Sequence, residues 1–323
     1  MRTGTRWGIV GLGSMAETFA RDLAELGEAA SVSGVVSSSQ DRAVAFADRF
    51  GGVVHASVDD LLADRQVDVV YVATGNDRHA DAARRVIDAG CAVLVEKPFS
   101  TSAAETDALL ARARERGVLA MEAMWTLCLP VYDQVRTWLG SGAIGEPRQL
   151  VARFGFRAVG AAAPPRLRDR AAGGGSFLDV GVYPVALAQL VFGPLPEVIV
   201  ACGRSVGGVD EQAAAVLRFP GGGLALIASA IEVETDWTAT IDGTAGRITI
   251  PDFWRARRVI LETPEATESV ERAPVGGGWA SEALHVRDLL RAGRVESPLV
   301  THASTVARAQ VCDAILKQLD QSP

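Results

Sequence analysis

The sequence predicts an α/β chain in two parts: an N-terminal doubly wound parallel sheet, then a C-terminal α+β domain with a large, mostly antiparallel, open sheet. Three observations predict this. The apolar run Trp7-Gly8-Ile9-Val10 is followed at once by Gly11-Leu12-Gly13-Ser14-Met15-Ala16 and an amphipathic stretch from Glu17 to Leu26. Apolar runs then alternate with helical patterns until residue 124, as expected of parallel strands joined by crossover helices. Past that point strand-like runs follow one another directly, which implies antiparallel pairing. The division is therefore placed between 1–124 and 125–323, each part being long enough for a core of its own.

The glycine turn has the form G-x-G-x-x-A between a strand and a helix, the signature of a Rossmann dinucleotide site. Gly11 permits the tight turn, Gly13 lets a pyrophosphate approach the backbone, and Ala16 allows close helix packing. The helix N-terminus, with Ser14 and Met15 in its first turn, faces the anion. The second apolar run, Ser31 to Val36, ends in Ser37-Ser38-Ser39-Gln40-Asp41-Arg42. An NAD-selective site places an acid here to bind the ribose hydroxyls. Hydroxyls with Arg42 nearby suit a 2'-phosphate instead, so NADP is expected ahead of NAD. Ser39 or Asp41 also reads as the cap of a helix running from Arg42 to Phe50.

Asp59 to Arg65 reads as a short helix and Val67 to Val72 as a buried strand, followed by Ala73-Thr74-Gly75-Asn76-Asp77-Arg78-His79. A helix over Ala80–Ala89, a strand over Ala92–Val95, a helix over Ala103–Arg116 and a strand over Leu119–Ala123 complete the first domain. Ligands of such sheets bind beyond the carboxyl ends of the strands, where Ser37, Thr74 and Lys97 collect. Lys97, in Glu96-Lys97-Pro98, stands out because the 32 Lys and Arg residues include lysine only at 97 and 317. An ammonium is a compact point charge whose pKa moves on burial, unlike the permanently charged guanidinium. A lysine here reads as one required for its chemistry.

In the second part, strand-like runs are expected at Gln149–Phe156, Glu197–Arg204, Ala213–Phe219, Leu224–Ile231, Trp237–Asp242 and Arg247–Ile250. Asp288–Arg291 and Ser304–Leu319 read as helical, the last expected to pack back on the first domain. No helical pattern is long enough to cover both sheet faces, so an open face is expected as the surface of a homodimer or higher homo-oligomer. Gly173 to Pro184 opens a helix that runs to Phe192, with Asp179 and Tyr183 on one face and a bend at Pro184. A hydride transfer needs a group that moves the substrate's hydroxyl proton. Tyr183 qualifies if a neighbouring ammonium such as Lys97 favours its phenolate, and Asp179 would anchor Lys97 or substrate hydroxyls. The three form one set only if the second domain closes on the crevice.

Composition narrows the function. A net charge of -7 and a pI near 5.3 argue against nucleic acid or an anionic membrane as the main partner. No apolar run reaches the roughly 18 residues of a membrane span. The basic N-terminus, with Arg2 and Arg6, does not lead into a secretion signal. The cysteines, at 91, 128, 202 and 312, are far apart and form no C-x-x-C pair, which fits isolated buried thiols in a cytoplasmic protein. The histidines, at 55, 79, 285 and 302, have no ligand spacing, so no metal is expected.

The chain resembles the glucose-fructose oxidoreductase, inositol dehydrogenase and MocA family, in its branch of dimeric dihydrodiol dehydrogenases and sugar oxidoreductases. The resemblance spans nearly the whole length. It rests on Gly11-Leu12-Gly13, Ala73-Thr74-Gly75-Asn76 with His79, Glu96-Lys97-Pro98, Met121-Glu122-Ala123-Met124-Trp125, Gly173 to Pro184 and Phe253-Trp254-Arg255. It implies a cofactor site that includes Asn76, His79 and Glu96, Lys97 and Tyr183 as the catalytic pair, Trp125 and Trp254 as pocket walls, and a dimer through the open sheet face. The inositol dehydrogenase branch has His where Tyr183 stands. The family often has Pro where Gly75 stands, and this branch often has Arg near Ser38. The expected function is an NADP(H)-dependent interconversion of a secondary alcohol and a ketone on a sugar, polyol or cyclic diol. The alternatives are an NAD-dependent cyclitol dehydrogenase and a catalytically silent dinucleotide-binding regulator.

Overall fold

A computed structural model of the chain describes residues 4–158 and 164–321. By its internal contacts the chain forms two compact units, Met1–Cys128 with Pro274–Thr305, and Leu129–Ala273 with Val306–Pro323. The chain thus crosses between units three times, where the sequence reading placed one boundary at 124.

The first unit holds a six-stranded parallel sheet in the order β3-β2-β1-β4-β5-β6, with β1 Thr5–Val10, β2 Ala30–Val36, β3 Val53–His55, β4 Val69–Val72, β5 Ala92–Glu96 and β6 Ala120–Ala123. The order reverses beside β1, the doubly wound pattern expected. The helices are α1 Ser14–Ala24, α2 Gln40–Phe50, α3 Val58–Ala63, α4 His79–Asp88 and α5 Ala103–Arg116. Side chains explain their boundaries: the hydroxyls of Ser39, Ser57 and Ser102 accept from backbone amides in the first turns of α2, α3 and α5. Every residue of β4 and β5 is buried, as parallel strands covered on both faces require.

The second unit holds α6 Val131–Gly140, α7 Val182–Phe192 and an eight-stranded sheet in the order β14-β13-β12-β11-β7-β10-β9-β8. Its strands are β7 Pro147–Gly155, β8 Val198–Val206, β9 Val209–Arg218, β10 Leu224–Ala230, β11 Ala239–Gly243, β12 Arg247–Ile250, β13 Arg258–Glu262 and β14 Thr267–Glu271. Pairing is antiparallel except between β7 and β10. One face buries Leu150, Ala152 and Phe154 of β7 with Ala225 and Ile227 of β10, against which α7 packs. The other leaves Val151, Val200, Val216 and Leu226 exposed around a depression of about 350 Å³.

Four expectations are corrected. The helix read as continuous from Ser176 is a π-helical turn, Phe177–Gly181, followed by α7. Pro184, which cannot donate to a preceding carbonyl, lies three residues past this π turn, so the irregularity falls just ahead of the proline rather than at it. The helix read at Asp288–Arg291 starts earlier, as α8 Trp279–Arg291 in the first unit. Only the start of α9, His302–Gln321, groups with the first unit; farther along, Gln318 bonds the carbonyl of Ile199 and the amide of Ala201 on β8. Of the four thiols expected to be buried, only Cys312 is; Cys91 and Cys128 are half-buried, and Cys202 is exposed on β8. No helix among the described residues is long and apolar enough to cross a membrane.

Candidate active site

The carboxyl ends of β1, β2, β4 and β5 gather the predicted nucleotide residues of the first unit. Gly11 has a left-handed φ of +87°, and its amide donates to Val36 at 2.9 Å. A Cβ there would lie 2.6 Å from the amide nitrogen of Thr74, so only glycine lets the β1 and β4 turns pass each other. Beside Gly13, by contrast, no atom lies within 4 Å of the Cβ position. Gly13 precedes α1 and no side chain caps that helix. With Gly13 and Ser14 exposed, the positive end of this 11-residue helix is left open, which fits a pyrophosphate. At the end of β2, Ser37 accepts from the amide of Ser39, Ser38 and Arg42 are exposed, and no acid stands at the strand end.

Beyond β5, the backbone of residues 97 to 99 is held by three buried side chains. Glu96 accepts from the amide of Lys97 at 3.1 Å, Glu122 of β6 accepts from the amide of Phe99 at 3.1 Å, and the His79 ring reaches the carbonyl of Pro98 at 2.8 Å. The other nitrogen of His79 lies 3.1 Å from the carbonyl of Thr74, so one imidazole ties the β5 turn to the β4 turn. Burial lowers the His79 pKa, its two carbonyl partners oppose this, and the charge of Lys97 lowers it further. Glu96 also accepts a short hydrogen bond from Tyr71, whose ring stacks at 4.0 Å on Phe19 of α1. Lys97 is half-buried on this braced turn, and its peptide bond to Pro98 is cis.

In the second unit, the π turn places Asp179 and Tyr183 on buried backbone. Its start is fixed by Asp210 of β9, which accepts from the Ser176 hydroxyl and the Phe177 amide, both at 2.7 Å. Burial raises the Asp210 pKa, against the pull of these two donors. Gly181 packs flat on the Phe177 ring, where a Cβ would come within 2.6 Å. Tyr183 is 6% exposed and its ring meets Phe154 at 5.4 Å and Trp254 at 6.3 Å. Asp179 pairs with Arg166 at 3.2 Å. Trp254 stacks on Phe154 at 4.8 Å and meets Trp237 edge-on at 5.7 Å.

Gly11, Gly13, Ser14, Met15, Ser37, Ser38, Arg42, Thr74, Asn76, His79, Glu96 and Lys97 thus share one end of one sheet; in the other unit Tyr183 and Trp254 are in ring contact, while Asp179 pairs with Arg166. Trp125 is a core ring of the first unit, 2% exposed and stacked on Trp279 at 4.2 Å. His79 is turned inward onto two carbonyls, a bracing position. The sequence reading assigns no such role to Glu122, Tyr71, Asp210, Arg166 or Trp237; their partners lie from 13 to 82 residues away, beyond any local spacing. Among the described residues, no group of three or more His, Cys, Asp or Glu side chains could hold a metal ion.

An open glycine cradle at a helix N-terminus, on a doubly wound sheet, defines a dinucleotide-binding protein. Residues 5–124 match the oxidoreductase family with an NAD-binding Rossmann fold, and residues 132–249 match the GFO/IDH/MocA C-terminal domain. The chain belongs to the GFO/IDH/MocA family of oxidoreductases. It is 34% identical to the trans-1,2-dihydrobenzene-1,2-diol dehydrogenase of Mus musculus, over 97% of this chain and 96% of that one. Identity to the Homo sapiens enzyme of that name is 31%, over 97% and 96%. Among solved structures, KijD10, a 3-ketoreductase from Actinomadura kijaniata in complex with NADP and TDP-benzene, superposes with a TM-score of 0.86 at 28% identity, over 98% of each chain. The aldose-aldose oxidoreductase of Caulobacter crescentus, at 24% identity and a TM-score of 0.88, shares the fold.

Proposed function

We propose that this oxidoreductase uses NADP(H) to interconvert a secondary alcohol and a ketone on a sugar or cyclic diol. In this reading Tyr183 passes the hydroxyl proton, and Lys97 orients the reacting oxygen and favours the Tyr183 phenolate. The observation that carries the reading is the bracing of the backbone of residues 97–99 by Glu96, His79 and Glu122, which supports Lys97 as a residue held on a fixed turn beyond the sheet. NADP is supported by the acid-free end of β2, by exposed Ser38 and Arg42, and by the presence of NADP in the KijD10 structures. A diol or sugar substrate is supported by the names of the relatives, and variants of KijD10 with a lysine or a tyrosine replaced have themselves been solved with TDP-benzene and NADP.

When bound, the nicotinamide supplies or accepts the hydride. The chain's own residues do the rest. The first-turn amides of α1 hold the pyrophosphate, Ser38 and Arg42 hold the 2'-phosphate, and Arg166 pairs with Asp179. Trp254 and Phe154 give an apolar ring face beside Tyr183. The exposed Val151, Val200, Val216 and Leu226 support a homodimer through the open sheet face, and the wide spacing of the cysteines along the chain supports a cytoplasmic setting.

The test is Tyr183→Phe. Turnover falls at least about a hundredfold while cofactor affinity is retained. Unchanged turnover would remove Tyr183 from the mechanism.

A further inference from the structure

Three residues of the second unit, Phe253-Trp254-Arg255, form a short helical turn after β12 whose backbone is held more firmly than a surface connection requires. Asp252 enters it in the left-handed region, with φ of +46°, a conformation that side chains other than glycine adopt rarely and that persists where the surroundings enforce it. The surroundings do so here. Phe253 is buried, and its amide donates to the carbonyl of Trp237 at 2.9 Å. Its carbonyl accepts from the hydroxyl of fully buried Tyr132 at 2.6 Å, and the Arg255 amide closes back on the carbonyl of Asp252 at 2.8 Å.

What this turn presents is a ring shelf with a cation on it. Trp254 stacks on Phe154 and stands edge-on to both Trp237 and Tyr183. The guanidinium carbon of Arg255 lies 4.9 Å from the ring centre of Trp237 and 5.1 Å from that of Trp254, a double cation–π contact. An arginine stacked in this way keeps the edge of its fork available for a bidentate acceptor. Arg255 makes one ion pair among the described residues, with Asp252 at 3.8 Å, and both partners are about half exposed. Arg166, by contrast, is occupied by Asp179. Arg255 is therefore an oriented, weakly paired cation one ring away from Trp254's neighbour Tyr183, in a protein whose net charge of -7 would otherwise repel an anion.

We infer that Arg255 anchors a negatively charged substituent of the substrate, so that the preferred substrate is a sugar or cyclic diol bearing a carboxylate or a phosphoryl group, with its ring on the Trp237–Trp254 shelf. This rests on the reading of Tyr183 as the proton-transfer residue, which places the reacting carbon beside that shelf.

The test is calorimetric titration of the NADP-loaded protein with D-glucuronate, D-glucose 6-phosphate and D-glucose. Wild type, Arg255→Ala, Arg255→Lys and Tyr183→Phe are compared, each first shown by thermal melting to be folded. At least one acidic sugar binds wild type about tenfold or more tighter than glucose, and added salt weakens that preference. Arg255→Ala brings the acidic sugar down to the glucose level and leaves glucose within about twofold, while Arg255→Lys retains part of the preference. Preference for glucuronate alone identifies a carboxylate, and preference for glucose 6-phosphate alone a phosphoryl group. The inference is overturned if glucose binds wild type as well as both acidic sugars do, if neither acidic sugar binds, or if Arg255→Ala keeps the preference; each result would leave Arg255 as surface packing on the two indoles. Because binding is read without turnover, and Tyr183→Phe is to keep the preference, failure of the Tyr183 mechanism is told apart from failure of the anionic subsite.

Discussion

Glu282 offers a prediction whose sign and size follow from its surroundings. It lies on α8 in the first unit with no measurable exposure, and neither carboxyl oxygen has a hydrogen-bond partner among the described residues. Burial, and then the negative charges of Glu96 and Asp22, hold its pKa well above the usual carboxylate range. In the folded protein Glu282 is thus protonated at pH values where the unfolded chain has released that proton. A group whose folded pKa is raised leaves stability untouched below its unfolded pKa and costs stability as the pH climbs from there towards its folded value. Within that window the loss is about 1.4 kcal/mol per pH unit. Glu282→Leu removes both the titration and two buried polar atoms without partners, whose desolvation costs about 1 to 3 kcal/mol each. Urea unfolding of the two proteins at about pH 5 and about pH 7 is the assay, and the advantage of the leucine variant is larger at the higher pH, by at most about that slope. An advantage equal at both pH values, or a leucine variant less stable than wild type at both, would refute the reasoning.

The remaining predictions concern the site. Gly11→Ala forces a methyl onto the Thr74 amide and a left-handed φ on alanine, so it abolishes cofactor binding by fluorescence titration and lowers the melting temperature. Glu122→Leu strands the Phe99 amide and costs about 1 to 3 kcal/mol in urea unfolding, with a fall in turnover as the Lys97 turn loosens. Arg42→Ala raises the KM for NADP about tenfold or more and leaves that for NAD near its original value, which initial-rate kinetics with the two cofactors would check.

The elements whose signal is local were legible in the sequence. The helix at Ala103–Arg116 and the strand at Arg247–Ile250 agree residue for residue with α5 and β12, because a serine cap, a glycine stop and clear periodicity mark their ends. The elements without such marks were not. β14 reads Thr-Glu-Ser-Val-Glu, a polar edge strand defined only by its pairing with β13. α6 carries valine, tyrosine, threonine and tryptophan, residues that suit a strand as well as a helix. In the site, Lys97 and Tyr183 drew attention as single residues, one by being a rare lysine and one by its place after the glycine run. What fixes them is not visible from spacing: Glu122 reaches the Lys97 turn from β6, and Asp210 pins the start of the Tyr183 turn from 33 residues away. Burial of a polar group beside a backbone donor is a property of the folded chain, and sequence shows only that an acid is available.

The most direct test of the proposed activity follows nicotinamide absorbance on the purified protein, with NADP and NAD in parallel, against aldoses, acidic sugars, inositols and cyclic trans-diols. The expected result is NADP-dependent turnover with a sugar or cyclic diol, lost in Tyr183→Phe while NADP still binds. Tight NADP binding with no turnover on any of these substrates, or turnover that survives Tyr183→Phe unchanged, would contradict it.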